Sequence, residues 1–128
     1  MASNGKRVGK NISWFESLRH ALAGVALLRT ERNARFEMVW ALLSIILAAV
    51  LRLDWSRWVA LGVTILLVLA AETVNTAIER AIDTAVGPRY TLLAKQAKDL
   101  AAGFVLLMAT AAVLGGLWIF GPALLQLL

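Results

Sequence analysis

The stretch AAETVNTAIERAIDTAVG, residues 70–87, closes the apolar run WVALGVTILLVLAA, residues 58–71, and sets Glu72, Glu79 and Asp83 where that run ends. A carboxylate buried in hydrocarbon is expensive, so acids at the end of a membrane-length run need a reason to be there. On a helix turning about 100° per residue, the steps from Glu72 to Glu79 and to Asp83 return to within roughly 40° of one azimuth. The three acids therefore share one helix face, flanked by Asn75 and Thr76. The next residues, VGPRY, stop the helix: Gly87 suits a left-handed cap and Pro88 cannot continue the turn.

Composition frames that face. The chain has 128 residues, 60% of them hydrophobic, and a mean hydropathy of +0.75. Soluble domains run nearer about 45–50% apolar. The length fits one domain, so the spans themselves must form it. Cysteine is absent and His20 is the single histidine, which leaves no disulfide framework, no thiolate nucleophile and no His-rich zinc site. The net charge of +5 suits a nucleic-acid binder or a membrane protein with a basic cytoplasmic side. Hydropathy decides for the membrane, and no nucleic-acid partner is expected.

Working outward, MASNGKRVGKNIS, residues 1–13, reads as a flexible basic tail, and residues 14–128 read as one membrane-embedded domain. Trp14, Leu18, Leu22, Val25 and Leu28 recur at helical spacing, with Arg19, His20, Arg29 and Arg32 elsewhere on the wheel. This predicts an amphipathic helix over about 14–35, lying in the headgroup plane or packed on the other helices. Three apolar blocks predict spans over about 36–52, 55–86 and 92–121, with Thr91 as an N-cap and Gly115, Gly116 and Pro122 loosening the last. The fold class is thus all-α integral membrane, with three transmembrane helices and an N-terminal amphipathic surface helix. Seven of the Lys and Arg residues lie within residues 1–37 and four within 80–99, against Arg52 and Arg57 between the first two spans. By the positive-inside bias, the N-terminus and the 80–99 segment are cytoplasmic and the C-terminus is outside.

That orientation puts Glu72 at the inner lipid boundary and Glu79 roughly 10 Å further into the cytoplasm. A partly desolvated carboxylate there suits a base acting on a hydroxyl presented from the lipid. A second carboxylate on the same face suits hydrated Mg2+, which favours one or two protein carboxylates plus substrate phosphates. Glu31, in RTERNARFE, faces the same compartment, and Lys98 and Asp99 complete a rim able to hold a polyphosphate. Plainer readings stand beside these. Glu31 fits an ion pair with Arg35, Asp83 fits solvation of a helix end, and Lys98 with Asp99 fits interfacial anchoring. No GxxxxGK[ST] or GxGxxG motif is present, so any phosphate must be held by metal-bridged carboxylates and basic side chains.

RTERNARFE (29–37), AETVNTAIERAID (71–83) and LAKQAKDLAAGFVLL (93–107) together resemble the prokaryotic diacylglycerol kinase family, which includes undecaprenol kinases. The resemblance covers roughly residues 17–120, and the TERN and LAKQAKDLAAG details lean toward the undecaprenol kinase branch. It implies a homotrimer with sites between subunits, in the bacterial inner membrane. It implies Glu72 as general base beside Asn75, with Glu31 and Glu79 binding Mg2+ bridged to ATP. Lys98, Asp99 and Tyr90 fall on nucleotide-binding positions. Thr91 stands where family members often have histidine after the loop tyrosine. The expected reaction is transfer of the ATP γ-phosphate to the hydroxyl of diacylglycerol or undecaprenol, with Arg35 beside Glu72 in the substrate-facing set.

Two other classes fit part of the pattern. A small proton-coupled transporter also uses a membrane glutamate, but would place it mid-span and has no need of Glu31, Glu79, Lys98 and Asp99. A non-catalytic membrane adaptor accounts for the basic amphipathic segment and for Ala101, Ala102 and Gly103 as packing surface. It leaves the acid face without a purpose.

Overall fold

The computed structural model describes residues 13–89 and 91–127; the expected tail over residues 1–13, apart from Ser13, and Tyr90 lie outside the described residues. The described chain is helical: α1 (Trp14–Leu27), a 3-10 turn (Leu28–Thr30), α2 (Arg32–Val50), α3 (Trp55–Val86) and α4 (Leu92–Leu125). The last three are long and apolar enough to cross a membrane.

The segment read as one amphipathic helix over 14–35 is divided. Ser13 caps α1 by accepting from the Glu16 N–H. After Leu27 the chain tightens into the 3-10 turn, where the Thr30 hydroxyl donates to the Leu27 carbonyl at 2.7 Å. Glu31 is extended (φ −85°, ψ 132°) and becomes the N-cap residue of α2, although its side chain makes no capping bond. That carboxylate is used elsewhere. No residue of α1 is buried, and Trp14 and Phe15 are exposed.

Between α2 and α3 the chain turns without glycine. The Leu53 N–H donates to the Ala48 carbonyl and the Arg52 N–H to the Ala49 carbonyl, each at 3.1 Å. This is a Schellman cap with Arg52 in its left-handed position, φ 50°. Asp54 then caps α3, accepting from the Arg57 N–H at 3.2 Å. The Ser56 hydroxyl, first of all, and the Arg57 amide hold the Asp54 carboxyl below its ordinary value. Beside this turn lies the apolar core of Ala48, Leu53, Leu61 and Ile119, flanked by Trp58 and Phe120.

α3 has 32 residues, so it is about 48 Å long at about 1.5 Å per residue, against a hydrocarbon layer of about 30 Å. With Trp55 at one interface, Glu72 falls about 26 Å along the axis, just short of the far boundary, and Glu79 about 36 Å along, beyond it. The excess helix is where the acids are. Gly87 (φ 62°) then closes α3, its N–H donating to the Asp83 carbonyl at 3.0 Å. Thr91 caps α4 by accepting from the Ala94 N–H at 3.1 Å, the role expected of it. α3 and α4 form the most extensively packed pair, and α2 packs on α3 over a shorter length. A Cβ built on Gly115 would stand 3.7 Å from the Thr64 hydroxyl oxygen, so the two helices approach closely there. The loosening expected from Gly115, Gly116 and Pro122 does not break α4, which runs through Pro122 to Leu125. A proline inside a membrane helix removes one backbone donor, a loss that neighbouring groups can offset.

The two positive-φ positions give opposite expectations. Arg52→Gly relieves a left-handed side chain and should stabilise the chain by about 1 kcal/mol. Gly87→Ala imposes such strain and should destabilise it by about 1–3 kcal/mol. Thermal unfolding in detergent micelles reads both; equal shifts of the same sign would contradict this backbone account.

Candidate active site

Glu72 is 3% exposed and Asn75 is 5% exposed, the two buried polar side chains among the described residues. The fully covered residues of α3 at this depth are Ala71, Glu72 and Asn75, and the neighbouring helices contribute buried Ala34 and Ala101. Small residues let helices approach in lipid, where apolar side chains gain little by meeting one another. The buried positions on these stretches of the three helices are thus small residues together with one carboxylate and one amide.

The Asn75 amide donates to Glu79 Oε1 at 3.3 Å, joining the middle and upper members of the predicted face. Glu31 arrives from the head of α2 and is held by the Arg80 guanidinium, not by Arg35. Arg35 lies one turn into α2 and is exposed. The fields of both Glu79 and Glu31 reach Glu72, and the Asn33 side chain lies against its carboxylate. A fourth acid, Glu37, also feels Glu72. Among the described residues, three acceptor oxygens in this cluster are buried without a protein donor: Glu37 Oε2, Glu72 Oε2 and Asn75 Oδ1. Buried acceptors left unmatched cost free energy, and a ligand rich in donors or positive charge would satisfy a group of them. A hydroxyl and a hydrated cation both qualify.

Lys98 and Asp99 lie across the next turn. Asp83 pairs with Lys98 at 2.5 Å and Asp99 pairs with Lys95. Together with Gly87, Arg89 and Thr91 these four residues line an open cleft of about 360 Å³ at the α3–α4 turn. Asp83 thus does more than solvate a helix end. It belongs to the predicted acid face but works with the basic rim. Tyr90 lies outside the described residues. On the opposite side of Glu72, a cleft of about 540 Å³ runs between the spans from Phe36, Glu37 and Trp40 past Ser44 and Thr64 to Ile119 and Phe120. Its walls are overwhelmingly apolar, and Glu37 marks its polar mouth.

Glu31, Glu72, Asn75 and Glu79 are therefore gathered within one chain, with Lys98 and Asp99 in the adjoining cleft. Three contributors escaped sequence reasoning. Glu37 carries the same signal as Glu72, an acid between Phe36 and Met38 at the edge of an apolar run, and the same criterion finds it. Asn33 and Arg80 sit in polar segments, where nothing local announces a distant partner. Among the described residues, no three His, Asp or Glu side chains are grouped so as to cage a metal ion. The donor set is nevertheless all hard oxygen. It fits the half-open kind of Mg2+ site that nucleotide phosphates complete.

A helical bundle with membrane-length spans and a buried carboxylate on its 32-residue α3, followed on that helix by further acids and a basic cleft, defines the class. The profile of the family described as prokaryotic diacylglycerol kinase matches residues 19–120. A diacylglycerol kinase of Synechocystis sp. is 40% identical over 129 residues, covering 100% of this chain and 73% of the relative. An undecaprenol kinase of Bacillus subtilis is 36% identical over 112 residues, covering 87% and 90%. A diacylglycerol kinase of Helicobacter pylori is 36% identical over 89 residues, covering 69% of each. The chain belongs to the prokaryotic diacylglycerol kinase family.

The Lys98–Asp83 pair is largely solvent-facing, with side chains 37% and 64% exposed. A double-mutant cycle with Lys98→Met and Asp83→Asn should return a coupling below about 1 kcal/mol in unfolding free energy. A coupling of several kcal/mol would mean that the pair holds the hairpin together and is not reserved for a ligand.

Proposed function

We propose that this protein is a membrane lipid kinase that moves the γ-phosphoryl group of ATP onto the primary hydroxyl of a lipid alcohol. Diacylglycerol would give phosphatidic acid, and undecaprenol would give undecaprenyl phosphate. The observation that carries this reading is Glu72, buried on a membrane-length helix with no donor to its Oε2 among the described residues. Family membership supports the same chemistry and weighs against the transporter and adaptor readings.

In the mechanism, the lipid alcohol enters from the inner leaflet along the apolar cleft that ends at Glu37. Its hydroxyl donates to Glu72 Oε2. Asn75 fixes Glu79 through its amide and keeps the upper carboxylate aimed at the nucleotide side. Glu31 and Glu79 would hold Mg2+, which supplies neutralisation of the polyphosphate charge. Lys98 and Asp99, with Tyr90 and Arg35, complete nucleotide and substrate contacts. The hydroxyl oxygen forms a bond to the γ-phosphorus while the bond from that phosphorus to the β,γ-bridging oxygen breaks. Glu72 takes the hydroxyl proton and ADP leaves with the bond's electron pair. Such transfers need positioning and charge stabilisation more than covalent help.

The orientation that serves this chemistry has the N-terminus and residues 80–99 in the cytoplasm of a bacterial cell, the C-terminus outside and α1 on the inner membrane surface. A homotrimer with sites shared between subunits gives the exposed apolar flanks of α2 and α4 protein as well as lipid to face.

Transfer of labelled γ-phosphate in mixed micelles tests the reading, with diacylglycerol and undecaprenol compared at equal surface fraction. Glu72→Gln should lower kcat by about 100-fold or more while changing the KM for ATP little. Glu79→Ala should chiefly raise the Mg2+ concentration needed for half-activity. Full activity of Glu72→Gln, or an unaltered Mg2+ requirement in Glu79→Ala, would contradict the assigned roles.

A further inference from the structure

Arg80 has no part in the mechanism above, yet it crosses from α3 to the head of α2 to hold Glu31, a partner 49 positions away in sequence. It follows Glu79 directly, so on a helix it points about 100° away from that carboxylate and off the acid face. Its side chain reaches back to the cluster only through Glu31. The fields of Glu31 and Glu79 reach Glu72, and that of Glu72 reaches Glu37. Among the described residues, the ion pair that enters this group is Arg80's; Lys98 and Lys95 are engaged with Asp83 and Asp99. The guanidinium thus brings a positive charge to a nest of like charges, which would otherwise repel.

The oxygen it occupies is one of the two that Glu31 could offer a metal. Glu31 Oε1 accepts from Arg80, and a carboxylate in ligand-free contact with a guanidinium must give up some of that contact to coordinate a cation. The pair is easily given up. Arg80 is half exposed, so its charge can swing into water with little desolvation, and exposed pairs of this sort are weak.

Resting on the reading of Glu31 as a metal-binding carboxylate, we propose that Arg80 is a resident counterion that a divalent cation displaces from Glu31. It is a positioning residue. It keeps Glu31 turned toward the acid face and sets how much divalent cation is needed to take its place. Removing it weakens the metal-free protein and tightens metal binding together, a pairing of opposite effects that a merely structural ion pair does not produce.

The test uses the full chain in micelles, with Mn2+ alone as probe, read by loss of the free-ion paramagnetic resonance signal. Melting temperatures are taken in EDTA and in Mg2+. Arg80→Gln should melt lower than wild type in EDTA, recover more on adding Mg2+, and bind Mn2+ about two- to fivefold more tightly. Arg80→Lys, which keeps the charge, should stay closer to wild type on every measure. Glu31→Gln should weaken Mn2+ binding. If Glu31→Gln binds Mn2+ as wild type does, the metal reading of Glu31 fails and takes this inference with it. If Glu31→Gln weakens binding but Arg80→Gln leaves it unchanged or weaker, the counterion inference alone is overturned.

Discussion

A helix longer than the hydrocarbon it crosses must put its surplus into water, and the residues at the crossing point feel both media. α3, with 32 residues, is such a helix. Anchored by Trp55 at one interface, it brings Glu72 to the other while still covered by protein. A charge held there costs free energy that the surrounding alanines cannot return. The rest of this end of the molecule supplies amides from Asn33 and Asn75, a guanidinium from Arg80, and a nearby cleft with basic walls. Among the described residues the arrangement remains incomplete by three acceptors, which a bound hydroxyl or cation would complete.

The two ends of the molecule divide the labour. Near the α2–α3 turn the helices meet through Ala48, Leu53, Leu61 and Ile119 in an ordinary apolar core. Near the α3–α4 turn the contacts are ion pairs and hydrogen bonds among side chains that also face water. Cohesion at the first end leaves the second free to exchange its internal partners for those of a ligand. Weak pairs there are an advantage, because a tight one would compete with phosphate or metal. The long cleft between the ends, apolar except at Glu37, Ser44 and Thr64, matches a lipid tail in chemistry and leads to the acids.

Much of this was legible in the sequence because membrane physics is one-dimensional. Apolar runs, VGPRY and Thr91 located the spans and the α3–α4 turn. The spacing of Glu72, Asn75 and Glu79 marked their common face. What was lost depends on tertiary meetings. Glu31 has Arg35 one turn away and a local ion pair is the natural expectation, yet Arg80 outcompetes it from another helix. The break at Leu28–Thr30 was invisible because the apolar periodicity runs through it, while Thr30 and the extended Glu31 end the helix locally. Arg52 caps α2 in a conformation sequence rules reserve for glycine. Glu37 needed only the criterion already applied to Glu72.

The central claim is that a lipid hydroxyl meets the carboxylate of Glu72 at the seam between oil and water. Solid-state NMR of the full chain in bilayers addresses it directly, with glutamate side-chain carboxyl carbons labelled and the lipid alcohol labelled at its hydroxyl-bearing carbon. The account predicts a through-space contact between that carbon and the Glu72 carboxyl, lost in Glu72→Gln. Contacts confined to apolar side chains along the spans, with none to Glu72, would contradict it.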